Sequence, residues 1–230
     1  MKNLILIPAR GGSKRIPGKN MKLFNGKPLI QWTIEAALNS GIKSNICVST
    51  DCEDTKRLAV RIGADAPFTR PSELASDQAK SIDVAIHALS YYKDAESIIL
   101  LQPTSPLRTA KDLKHFYDYI IKKSASSAVS ICDCQHSPLW AFKLRDEILE
   151  RAIPSNISFN VRSQDLPKYY ILNGAMYYSK VSILKSSRSF IQSDTIGFIM
   201  PAHTSVDIDT QIDWDVAEMI GQKYLNQNHL

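Results

Sequence analysis

Cysteine is scarce in this 230-residue sequence, and the four present, Cys47, Cys52, Cys132 and Cys134, include no C-x-x-C pair. Cys132-Asp133-Cys134 is tighter than the usual zinc spacing, so all four are expected to be free thiols in a reducing compartment. No apolar run reaches the roughly 18 residues a membrane span needs. The first residues enter a strand pattern at once, and the expected location is the cytoplasm, with no membrane partner. Internal repeats and low-complexity linkers are absent. Charge of one sign is not concentrated either: 28 Lys and Arg against 23 Asp and Glu leave a net +5. That balance lacks the dense stripe nucleic acid usually calls for and suits a small anionic ligand.

Two common phosphate signatures are also missing. A P-loop needs G-x-x-x-x-G-K-[ST], but here Pro17 precedes Gly18-Lys19-Asn20, without the hydroxyl that would hold Mg²⁺. A dinucleotide fingerprint would open directly into a helix, which Pro17 obstructs.

What is present is a short apolar run, Leu4-Ile5-Leu6-Ile7, that reads as a strand buried on both faces of a parallel sheet. From Pro8 to Asn20 the character changes to three glycines, two prolines and the cations Arg10, Lys14, Arg15 and Lys19, with Lys22 just beyond. A solvated basic turn could have this composition. Its place after the first core strand, where open α/β sheets bind ligands, favours an anion site instead. Gly11-Gly12-Ser13 lets backbone N–H groups approach an anion, and Arg10, Lys14 and Lys19 supply charge that a triphosphate would neutralise.

Helical spacing of Leu29, Ile30, Ile34, Ala37 and Leu38 follows, stopped at Asn39-Ser40-Gly41. The same reasoning gives strands at 45–49, 97–101, 127–131, 176–179 and 197–200, and helices at 53–62, 81–92, 110–122 and 212–225. The expected fold is α/β, a Rossmann-like doubly wound, mostly parallel sheet in a single domain spanning 1–230. Between about 132 and 170 the pattern weakens into short extended pieces, 139–144 and 157–161, read as a small β-rich inserted arm. Its aromatics Trp140, Phe142 and Phe159 want cover, which suits an oligomer contact.

Two further stretches carry polar chemistry. Gln102-Pro103-Thr104-Ser105-Pro106-Leu107-Arg108 places two prolines just past a strand end, a rigid loop suited to a polar ligand. In Ser205-Val206-Asp207-Ile208-Asp209-Thr210, an extended chain would point Asp207 and Asp209 the same way, about 7 Å apart. Such a pair suits one hard cation such as Mg²⁺. Asp209 or Thr210 could instead cap the last helix. Asp213 and Asp215 are expected to face solvent.

Together, Pro8 to Lys14 with Lys19-Asn20, Arg70-Pro71 with Leu74 to Asp77, Leu101 to Arg108, Asn173-Gly174-Ala175, and Asp207 to Thr210 resemble the CMP-sialic acid synthetases, the N-acylneuraminate cytidylyltransferases. The resemblance is collinear over essentially the whole chain. It implies transfer of CMP from CTP to the anomeric hydroxyl of an acidic nine-carbon 2-keto sugar, releasing pyrophosphate. It makes Ala9, Arg10, Gly11, Ser13, Lys14, Lys19 and Asn20 nucleotide contacts, with Arg70, Ala79 and Ser81 reading the cytosine. Gln102, Thr104, Ser105, Arg162 and Asn173 become sugar contacts, Arg162 reaching from the arm of a homodimer toward the neighbour's site. Asp207 and Asp209 become ligands of Mg²⁺, or of Mn²⁺, and Arg10, Lys19 and Asp209 the catalytic set, with Asp209 as the base. Departures fall on the sugar side: Trp140 replaces a Lys and Ile171-Leu172 an Arg-Pro of several sialic acid enzymes. They widen the acceptor to a legionaminic-type acid, ahead of pseudaminic acid or 3-deoxy-manno-octulosonic acid. A nicotinamide oxidoreductase would have no use for Asp207 and Asp209, and a nucleic-acid-binding module would need more clustered charge.

Overall fold

The structure is a computed structural model that describes residues 2–158 and 160–224. It begins with β1 (Asn3–Pro8), whose Leu4, Leu6 and Ile5, Ile7 alternate between two opposite cores and are all 0% exposed. A short hairpin, β2 (Leu23–Phe24) and β3 (Lys27–Pro28), leads into α1 (Leu29–Leu38). Then follow β4 (Ser44–Ser49), α2 (Glu53–Arg61), the single turn α3 (Ser72–Ala75), α4 (Ser81–Tyr91), β5 (Ser97–Leu101) and α5 (Ala110–Lys123). The chain continues through β6 (Ser127–Asp133), the hairpin β7 (Phe142–Arg145) and β8 (Ile148–Arg151), β9 (Tyr170–Lys180), α6 (Val181–Ser187), β10 (Ile196–Ile199) and α7 (Gln211–Tyr224).

The central sheet runs β10-β6-β9-β5-β1-β4. Pairings of β1 with β4 and β5, and of β10 with β6, are parallel, whereas β9 is antiparallel to both its neighbours. The doubly wound, mostly parallel α/β fold expected from the sequence is therefore present. With β1 flanked by β4 on one side and β5 on the other, the chain reverses its winding at β1. Ligands of such sheets bind in the crevice past the strand ends at that reversal. The loops leaving β1, β4 and β5 all emerge there.

Helices α1 and α5 cover one face through Ile30, Ile34, Leu113 and Phe116; α4 and α6 cover the other through Val84, Ala85, Leu89 and Leu184. A third apolar cluster serves the crevice directly. Ile16 from the first loop, Leu107 from the β5 loop, Ile208 from the last loop and Trp214 of α7 pack around Phe24 and Leu29. Segments far apart in sequence are thereby held at one end of the sheet by burial of apolar surface.

Some local expectations change. The strand read at 176–179 starts at Tyr170, because Tyr170, Ile171 and Leu172 pair with the outer end of β6 before a register shift near Val129 and Ile131. Gly174, with φ at +75°, absorbs that irregularity, which is why the alternation is broken in sequence. The arm is a hairpin whose turn, Asp146-Glu147, has positive φ at both residues, as a type I′ hairpin turn requires. The extended piece read at 139–144 holds from Phe142, where β7 begins, but opens with a 3₁₀ turn, Pro138–Trp140, since Pro138 and the Ser137 cap favour a turn there. The piece read at 157–161 is not a strand over its described residues; Phe159, and the end of the last helix at Leu225, lie outside them. The four cysteines are free thiols.

Candidate active site

The first loop is fastened at its root. Ala9 N donates to the Ser49 carbonyl (2.9 Å), Gly11 N to Asp51 Oδ1 (2.8 Å), and Asn20 Nδ2 back to the Arg10 carbonyl (2.9 Å). A side-chain carbon on Gly11 would stand 3.2 Å from Cys52 Cβ, so the close approach of this loop to α2 favours a residue without one. Asn20 spends its amide on loop geometry.

Two cavities adjoin along this loop. One, of about 500 Å³, is lined by Arg10, Ser13, Lys14, Arg15, Lys19, Asp77 and Asp209. The other, of about 240 Å³, is lined by Arg10, Arg70, Ala79, Ser81, Gln102 and Thr104 among others. Arg10 and Asp77 belong to both. The structure thus brings together from 200 residues of chain most of the residues singled out in sequence.

Each cation has a defined partner. Arg10 Nη1 lies 2.7 Å from Asp77 Oδ1, and Lys14 pairs with the other oxygen of the same carboxylate. Arg15 Nη1 lies 2.8 Å from Asp209 Oδ2. Lys19 Nζ donates to the Ile208 carbonyl at 2.6 Å and sits 3.7 Å from Asp209 Oδ1. Burial lowers the Lys19 pKa, opposed by the charges of Asp209 and Asp207. Lys22 turns aside and lies over the Trp214 ring, 4.4 Å from its centroid.

Arg70 is buried at 5% exposure, its Nε donating to Ser49 Oγ (3.0 Å) and Nη2 to the Ser49 carbonyl. Burial pushes its guanidinium down to about 10, with Asp51 opposing the shift. Arg70 therefore forms a fixed wall of the smaller cavity.

The acidic segment differs from its sequence reading. Residues 205–210 form no strand. The segment is stitched instead to the β5 loop, Ile208 N donating to the Thr104 carbonyl (2.8 Å) while the Thr104 side chain bonds Asp207. Ile208 is fully buried between the two carboxylates in sequence, as expected. Asp207 keeps solvent access, and the partial desolvation at the crevice pushes its carboxyl up first, with the like charge of Asp209 adding to it. Asp213 does not simply face solvent: its Oδ2 accepts from Asp209 N (3.1 Å), Thr210 N (2.6 Å) and Thr210 Oγ1 (2.8 Å). With Thr210 and Asp213 capping α7, the Asp209 side chain is left for the cleft.

Among the described residues no three His, Cys, Asp or Glu side chains cluster as a protein-only metal site. A pair of carboxylates, mutually repelling and beside a phosphate-sized cationic cavity, fits Mg²⁺, which takes one or two carboxylates and completes its shell with phosphate and water.

Gln102 and Thr104 line the smaller cavity, and a side-chain carbon on Gly174 would stand 3.1 Å from Gln102 Oε1 and 3.4 Å from Asp207 Oδ2. Ser105 and Asn173 lie beneath this surface. Ser105 is fully buried, and Asn173 bonds Ser130 Oγ (2.6 Å), Ala175 N (3.2 Å) and Ser205 Oγ (2.9 Å). Arg108, 1% exposed, donates Nη1 to the Ala175 carbonyl (3.1 Å), tying the β5 loop to β9. Arg162 is exposed and pairs with Asp165 at 2.8 Å; among the described residues no hydrogen bond or ion pair joins it to Gln102 or Asn173. Sequence reasoning gave no role to Asp77 or Ser49. A carboxylate ending a polar turn was the available signal for Asp77, while nothing local marks Ser49.

The family model for cytidylyltransferases matches residues 4–189. The chain is 36% identical to the CMP-N,N'-diacetyllegionaminic acid synthase of Legionella pneumophila over the full length of both. It is 35% identical to the pseudaminic acid cytidylyltransferase of Campylobacter jejuni, covering 96% of each. Identity is 37% to the N-acylneuraminate cytidylyltransferase of Streptococcus agalactiae, of which it spans 52%. Its fold is similar to a CMP:2-keto-3-deoxy-manno-octonic acid synthetase complexed with CTP, with a TM-score of 0.70 at 20% identity over 97% of this chain and 99% of that one.

Proposed function

The chain belongs to the cytidylyltransferase family, and from that premise we propose that it transfers CMP from CTP to the anomeric hydroxyl of an acidic nine-carbon 2-keto sugar, releasing pyrophosphate. The observation that carries this reading is the pair of adjoining cavities joined by Arg10: one cationic and large enough for a phosphate chain, the other walled by Arg70, Ala79 and Ser81 and bordered by Gln102.

In this reading the base sits against Arg70, Ala79 and Ser81, and the phosphates run past Arg10, Ser13, Lys14 and Lys19. Attack on the α-phosphorus needs the charge on the phosphates neutralised and the incoming and leaving oxygens held in line. Lys19 is already fixed by the Ile208 carbonyl, so it needs no reorganisation to meet the charge. Asp207 and Asp209 would hold Mg²⁺, or Mn²⁺, which supplies further neutralisation of the phosphate oxygens. Gln102 and Thr104 orient the acceptor, while Ser105, Arg108 and Asn173 shape the backbone beneath them. Asp209 accepts the hydroxyl proton; a pH–rate profile unchanged in Asp209→Asn would remove it from that role.

The protein works as a homodimer in the cytoplasm, with the arm carrying Arg162 toward the partner's acceptor carboxylate. Supporting this, the hairpin exposes Leu144, Ile148 and Leu149 at 63–72%. A legionaminic-type acid is the second acceptor reading, favoured by the end-to-end match to the Legionella pneumophila enzyme.

The deciding experiment is pyrophosphate release from CTP and Mg²⁺ with N-acetylneuraminic, legionaminic, pseudaminic and 3-deoxy-manno-octulosonic acids in parallel. Release with one nine-carbon acid is expected. No release with any of them, from folded protein that binds CTP, would overturn the acceptor assignment and leave the nucleotide half standing.

A further inference from the structure

Asp77 lines both cavities and engages two of the cations assigned to the phosphates, Arg10 at 2.7 Å and Lys14. The reaction scheme above gives it no task. It sits in the short stretch between α3 and α4, outside any helix or strand, and its partners come from the first loop. The hydrogen bond from Lys14 and that from Arg10 hold its carboxyl below the usual carboxylate range, so it is an anion whenever the enzyme is at neutral pH.

We propose that Asp77 is an internal competitor for the phosphate-binding cations, setting how tightly pyrophosphate is held and so helping to expel it after transfer. The inference rests on the cytidylyltransferase reading. A phosphate oxygen approaching Arg10 and Lys14 meets a carboxylate already there, and must displace it or share the cations against like-charge repulsion. Both pairs are partly open to solvent, so they contribute little to folding and separate readily. CTP compensates with its base in the Arg70 cavity and its remaining phosphates on Lys19. Pyrophosphate has no base to compensate with. Asp209 faces Arg15 and Lys19 in the same cavity, but the paired carboxylate at Asp207 gives it a metal-binding task that Asp77 lacks.

The test is calorimetric titration of pyrophosphate and of CTP, each with Mg²⁺, into wild type, Asp77→Asn and Asp77→Ser. Asp94→Asn, which removes a charge from the distant Lys2 pair, serves as the control. Both Asp77 variants are expected to bind pyrophosphate about three- to tenfold more tightly, with a matching fall in its product-inhibition constant and a smaller gain for CTP. Loss of a merely structural contact would weaken binding instead. Unchanged or weaker pyrophosphate binding, or an equal gain in Asp94→Asn, overturns the role of Asp77 alone. A wild type that binds neither ligand overturns it together with the reading it rests on.

Discussion

Lys19 Nζ and the Ile208 carbonyl oxygen, 189 residues apart, are 2.6 Å from one another. That bond joins the first loop to the last and aims the ammonium at the cleft between Asp209 and the other cations. Lys19→Met removes the charge and the bond while leaving a stem that fits the partly buried site. We expect kcat/KM for CTP to fall by about two orders of magnitude or more. Because burial already disfavours the ammonium, the melting temperature is expected to hold or rise. Steady-state kinetics beside thermal denaturation checks both, and a loss under tenfold would remove Lys19 from the phosphate site.

Asp207 makes the same trade between function and stability. Its folded-state pKa is raised above 3.8, so the native state binds the proton more readily than the unfolded chain does. Stability from this residue is therefore lost as pH rises from the unfolded value through the raised one, and stays lost at neutral pH. Because Asp207 keeps solvent access, which screens the effect, Asp207→Asn should melt only slightly above wild type at pH 7, with the gap closing as pH is brought toward about 4. Activity should fall at least about a hundredfold. A lower melting temperature at pH 7 would show that the carboxylate is stabilised rather than strained.

Gly174 is the point where the β5 loop and the acidic segment meet. An alanine there would be left-handed, at a cost of about 1–2 kcal/mol, and would press on Gln102 Oε1. Gly174→Ala is expected to raise KM for the acceptor sugar several-fold more than KM for CTP. Equal effects on the two would place Gln102 away from the acceptor.

The arm supplies a test of assembly. Leu144→Asp with Ile148→Asp puts two carboxylates on exposed apolar positions of the hairpin. The proposed homodimer predicts a shift from dimer to monomer in light scattering, with the acceptor KM rising if Arg162 of each arm serves its partner's site. A dimer that survives both substitutions would move the interface elsewhere.

The sequence by itself determined the fold class and the cationic loop that leaves the first strand. Buried strands such as Leu4 to Ile7 and Ser97 to Leu101 read as continuous apolar runs because both faces are covered, and the cationic glycine-rich loop follows the first of them directly. Local patterning suffices where a residue's role depends on its neighbours in the chain. Tertiary structure alone decided the rest. That β9 runs antiparallel inside the sheet, that Arg70 is fixed by Ser49, that Asn173 and Ser105 lie buried beside the smaller cavity, and that Asp213 rather than Asp209 closes the cap of α7 all depend on partners far away in sequence or on backbone direction. The pairing of Asp77 with Arg10 and Lys14 is of the same kind. A charge in a polar turn looks solvated in one dimension; only the folding of two loops onto one crevice brings it within Coulombic reach of the cations.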